Sequence, residues 1–158
     1  KGKTAPLLIA PIKGAAIAAG LTTELHGLER LIEYCGLAYQ GRNDINDIIP
    51  SSHRSSDLDG RKPNLVVSLF AQCGSSGDDF NVWYKSDDLS NLSQWQKRIA
   101  SSDVILQANQ YVDYWLAQAD LLALSVPPQL QPVVAGLIAK VKGTTTGTNS
   151  VEHQGQIA

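Results

Sequence analysis

Apolar residues return every three or four positions across 101–126, SSDVILQANQYVDYWLAQADLLALSV, placing Ile105, Ala108, Val112, Trp115, Ala119 and Leu122 on one face. That spacing predicts an amphipathic helix laid against a core. Ser102 or Asp103 can accept from the first free backbone N–H groups. Pro127-Pro128 stops the helix, because the first proline drives Val126 out of helical geometry and neither has an N–H to donate.

The same period recurs over 21–40, LTTELHGLERLIEYCGLAYQ. Leu21, Leu25, Leu28, Ile32, Cys35 and Tyr39 line one side while Glu24, Arg30 and Glu33 point away, and Gly41 is the expected stop. The pattern can also run back to Ile12, with Pro11 marking the start. Gly14, Gly20, Gly27 and Gly36 would each cost such a helix about 1 kcal/mol against alanine, so they imply close approach by another helix. A third helix is expected in 86–100, opened by Ser86, Asp87 and Asp88 and carrying Leu89, Leu92, Trp95 or Gln96, and Ile99. A last one spans 130–142, with Val133, Val134, Leu137, Ile138 and Val141 on its apolar side.

The stretches between are less periodic. Residues 41–63 are rich in Asn, Asp, Ser, Gly and Pro and read as a long surface loop with one helical turn at 44–49. The run 64–72, NLVVSLFAQ, is too short for periodicity to arbitrate and is read as helix. GSSGDD at 74–79 reads as a turn, and FNVWYK at 80–85 alternates Phe80, Val82 and Tyr84 in the manner of a strand. The expected architecture is therefore mainly α: four to five helices, bundle-like, in a single domain over 1–143. A small β-hairpin around 64–85 is the alternative, and 144–158 is a flexible tail with almost nothing to bury.

Composition narrows the partners. With 158 residues, 43% hydrophobic and 18% charged, the chain has the material for one ordinary core. A net charge of −2 supplies no basic excess to neutralise a phosphate backbone, which argues against nucleic acid as the main partner. The leading stretch 5–21 carries Lys13 as its lone charge, and Pro6, Pro11 and Lys13 interrupt it too often for a spanning helix. Something must cover it. It is core, a docking surface for identical copies through Leu7, Leu8, Ile9, Ile12 and Ile17, or a segment that enters a membrane interface.

Cys35 and Cys73 are expected to form one disulfide across the 41–63 loop, closing about 38 residues for roughly 4 kcal/mol in the chain-entropy model. The bridge, the low charge, the Ser/Thr/Asn/Gln-rich loops and a first residue that is Lys all point to a processed or secreted setting. Two buried thiols are the alternative.

Candidate chemistry is thin. His26, His53 and His153 stand apart, with no metalloprotease helix, zinc-spaced Cys/His set or nucleophile elbow, and no cofactor or metal is expected. SSHRSSDLDG at 51–60 gathers Ser, His53 and Asp, but triads are assembled from distant elements, so a solvated loop is the plainer reading. Asp57, Asp59 and Gly60 resemble part of a calcium loop whose register fails, since Val66 falls where a bidentate Glu belongs. Asp44 with Asp47, and Asp78 with Asp79, read as turn and cap residues. Asn91-Leu92-Ser93 is a glycosylation sequon that matters only in a secretory pathway. Trp115 is expected in the core, whereas Tyr111 and Tyr114 are candidates for an outward binding patch.

The function expected from these residues is non-enzymatic: a processed or secreted helical interaction or assembly protein, its apolar N-terminal segment binding itself in a homo-oligomer or another protein. The runner-up is a secreted, toxin-like protein whose same segment engages membrane lipid. Third comes a small hydrolase built on the His53 loop.

Overall fold

A computed structural model describes residues 14, 17, 18, 20, 25–48, 57–86 and 88–143. Six α-helices account for most of them: α1 (Leu25–Ile48), α2 (Leu65–Phe70), α3 (Gly74–Tyr84), α4 (Leu92–Ala100), α5 (Val104–Ala123) and α6 (Gln131–Gly143). There is no strand among the described residues.

The two longest helices, α1 and α5, share the most extensive interface in the fold. Gly41 of α1 faces Val112 and Trp115 of α5, while Cys35, nearer the start of α1, feels the charge of Asp120, nearer the end of α5. The pair is therefore antiparallel. Leu31, Ile32, Cys35, Ala38 and Ile48 bury from one side, and Val104, Ala108, Val112, Leu116 and Ala119 from the other. Helices α2, α4 and α6 close round this pair, and α3 packs on α2 and α4 through Phe80 and Trp83. Arg42 donates from Nη1 to the carbonyls of Val141 and of Lys142 (2.9 Å to the latter), which satisfies the C-terminal end of α6. Gln96 of α4 donates to the Ile48 carbonyl at 3.2 Å and does the same for α1.

Three local expectations are corrected. Gly41 does not end α1, which continues to Ile48, because a residue without a side chain is what lets Val112 and Trp115 come so near. The 64–85 hairpin is not formed: α2 and α3 occupy the region, with Asn64 capping α2 by accepting from the N–H groups of Val66 and Val67. Tertiary packing overrides the alternation of 80–85, as Phe80, Trp83 and Tyr84 turn inward at helical spacing while Val82 is left 75% exposed. Finally, Cys35 and Cys73 are free thiols that are not at bonding distance. Cys35 is committed to the α1–α5 seam, and Cys73 stands exposed at the start of α3. The tail at 144–158 lies outside the described residues.

Candidate functional site

Helix α5 has two very different sides. Its buried side packs on α1. Its charges are confined to Asp113 and Asp120. At 3.6 residues per turn both aspartates fall on one flank, and Gln107, Gln110, Tyr111, Tyr114, Gln118 and Leu121 fall together on the other. That outer strip is uncharged along its whole length. Tyr111 is 47% exposed, Tyr114 54% and Leu121 61%, so the strip offers large apolar surface to whatever meets it.

The strip has a floor. Trp115 is half-buried against α1 at Gly41, and the Tyr111 ring lies on it with centroids 5.9 Å apart and planes tilted by 32°. Gln107, Gln110, Tyr111, Tyr114 and Trp115 line a shallow depression of about 490 Å³. A ring held on one face by its neighbour loses little freedom when a partner covers the other, which is why aromatics anchor interfaces well. A second depression of about 470 Å³ lies between α5 and α6, where Leu124, Val134 and Ile138 are flanked by the Lys142–Asp120 ion pair at 2.8 Å.

Among the described residues no three His, Cys, Asp or Glu side chains converge to hold a metal ion. The Cys35 thiol is pushed up to about 11, first by burial and then by the Asp120 charge, with Lys142 opposing. A thiol held protonated in an apolar seam is a poor nucleophile. His53, with the rest of 49–56, and His153 lie outside the described residues, as do Leu7, Leu8, Ile9 and Ile12. Ile17 is described, helical and 51% exposed. No described helix is long and apolar enough to cross a membrane.

Of the site residues read from sequence, Tyr111 and Tyr114 are brought together on one exposed strip. Leu121 and the glutamines were missed as members of it. Their signal was available: the outward positions of 104–121 lack charge on one flank, which is unusual for a solvated helix face. Comparisons with family models, curated proteins and solved structures give no match for this chain.

Proposed function

We propose that the protein is a non-enzymatic assembly protein and that the outer strip of α5 receives a second copy of the chain. The observation that carries this reading is the strip's composition, exposed tyrosines and leucine among glutamines with both aspartates on the far flank. In a two-fold contact each residue faces the same surface on its partner, so a central charge would meet its own like. An uncharged strip avoids that conflict. Glutamine carries donor and acceptor in one group and pairs with itself, and tyrosine gives apolar area with a polar tip. The apolar leading segment, with Leu7, Leu8, Ile9, Ile12 and Ile17, belongs to the same reading as further surface for association. The free thiols remove one of the signs that favoured a secreted setting.

Light scattering on size-exclusion peaks over a concentration series tests the proposal. The wild type is expected to shift from monomer towards dimer as concentration rises. Tyr111→Glu with Tyr114→Glu should weaken the dimer at least tenfold, about 1.4 kcal/mol, with the helical circular dichroism unchanged. A wild type that stays monomeric throughout, or a dimer indifferent to both substitutions, refutes the α5 contact. Deleting residues 1–20 separates the contribution of the leading segment, and dye release from liposomes would favour the lipid-directed alternative instead.

A further inference from the structure

The segment 57–65 is tied to α1 at both ends by carboxylates one helical turn apart. At one end Asp47 accepts from the backbone N–H of Asp57. At the other Asp44, only 8% exposed, accepts at Oδ2 from the Leu65 N–H at 2.7 Å, while its own carbonyl accepts from Asn64 Nδ2 at 3.1 Å. Asp44 thus caps α2 from another helix, beside the cap that Asn64 supplies. Between the two ties the strap is folded on itself. Lys62 N–H donates to the Asp57 carbonyl at 2.9 Å, Arg61 N–H to the Leu58 carbonyl at 3.3 Å, and Leu58 is fully buried.

Among the described residues the charges that act on Asp44 are both negative, those of Asp57 and Asp47. Asp47 lies on its own helix and Asp57 faces it from the strap, whereas α2 carries no charged residue. Two cations lie in the strap: Lys62 sits 3.7 Å from Asp57 and is itself largely exposed, and Arg61 donates to the Ser86 and Asp88 carbonyls over the Trp83 ring. Two effects compete at Asp44. The Leu65 N–H favours the carboxylate; burial, with Asp57 and Asp47 behind it, favours the acid. Burial wins, and the group is pushed up to about 6 from 3.8.

We propose that the 57–65 strap is an acid-closed clasp: proton uptake by Asp44 fastens it to α1, and proton loss towards neutral pH loosens it. A neutral Asp44 keeps an oxygen for the Leu65 N–H and no longer repels Asp47 and Asp57. The sign follows from linkage. The closed strap binds the proton more tightly than an open one in which Asp44 is wetted, so acid favours closure and rising pH through about 6 favours opening. The clasp does not depend on the association proposed above.

Amide hydrogen exchange at Asp57, Leu65 and Val66, corrected for intrinsic rates, reads the opening directly. Between pH 5 and 7.5 the wild-type opening constant should rise about tenfold. Asp44→Asn, neutral and still an acceptor, should flatten that dependence and hold the strap closed. A variant that keeps the wild-type slope, or a wild type with flat protection, overturns the proposal. A second measurement needs no variant: the Asp44 carboxyl carbon and the Leu65 amide should titrate together by NMR near pH 6. Titration of Asp44 near its ordinary value, or without the Leu65 amide, also overturns it.

Discussion

Along the α1–α5 seam the buried residues are small or aliphatic, with Ala38, Ala108 and Ala119 beside leucine, isoleucine and valine, and Gly41 in the middle. Between α2, α3 and α4 the core is instead aromatic. Phe80 meets Phe70 at 5.3 Å, Trp95 at 5.4 Å, Trp83 at 5.8 Å and Tyr84 at 5.2 Å between ring centroids. The seam gains from closeness, since small residues let two long helices share many contacts. The aromatic nest gains from size, since three short helices offer few positions and each must bury a large area. The nest should therefore lose most when a ring is removed, whereas an added carbon should tell in either region according to whether backbone or side chain stands beside it.

The largest effect is expected from Phe80→Ala. It deletes the ring that touches four others at a fully buried site and leaves a cavity that α2, α3 and α4 are too short to fill. Chemical denaturation should show a loss of about 3–5 kcal/mol. A loss under about 1 kcal/mol would mean that the nest collapses freely and is not packed as a unit.

Adding one carbon in each region sharpens the contrast. A Cβ at Gly77, in α3, would lie 2.7 Å from the Ala71 carbonyl oxygen and 3.0 Å from that of Phe70, and backbone cannot step aside. Gly77→Ala should cost about 2–3 kcal/mol. At Gly41 the Cβ would lie 2.9 Å from Val112 Cγ2 and 3.0 Å from Trp115 Cζ3, which are side-chain atoms. Some of that strain relaxes, and alanine returns about 1 kcal/mol of helix propensity, so Gly41→Ala should cost about 1 kcal/mol net. Combining it with Val112→Ala should give a coupling of at least 0.5 kcal/mol in a double-mutant cycle. Strict additivity would deny the close approach.

The same contrast explains what was legible in the chain. The seam could be read because long helices repeat their period many times: Leu28, Ile32, Cys35, Ala108, Val112 and Ala119 were all assigned to buried faces and are buried. Gly41 misled because a glycine that ends a helix and one that admits a neighbour look alike in sequence. Of the nest, 64–72 reads as helix and holds α2, and 86–100 holds α4 with Trp95 and Ile99 buried, but the eleven residues of α3 contain too few turns for a period to show. There Phe80, Val82 and Tyr84 mimic a strand, and only the rings of Phe70 and Trp95 decide otherwise. On α5, Tyr111 and Tyr114 were recognised as outward candidates from residue type, whereas Leu121 needed the helix register. The Asp44 clasp was invisible: its partner Leu65 N–H is a backbone group twenty-one residues away.

The smallest effect tests two buried, unpaired donors at the edge of the nest. Trp83 is buried with Nε1 unpaired, and Arg61, whose guanidinium lies 3.9 Å from the Trp83 ring centroid, has Nη1 buried and unpaired as well. Arg61 is held there by donating to the carbonyls of Ser86 at 3.3 Å and Asp88 at 3.0 Å, at the cost of a left-handed φ of 48°. Trp83→Phe removes the unpaired indole N–H, which returns about 1 kcal/mol of desolvation. Against that stand about 1 kcal/mol of lost apolar area and about 0.5 kcal/mol of weaker cation–π contact. The net should be a loss of no more than about 1 kcal/mol, far below that of Phe80→Ala only a helical turn away. A loss of 3 kcal/mol or more in denaturation would show that the indole N–H is satisfied in solution, and that size alone does not account for the nest.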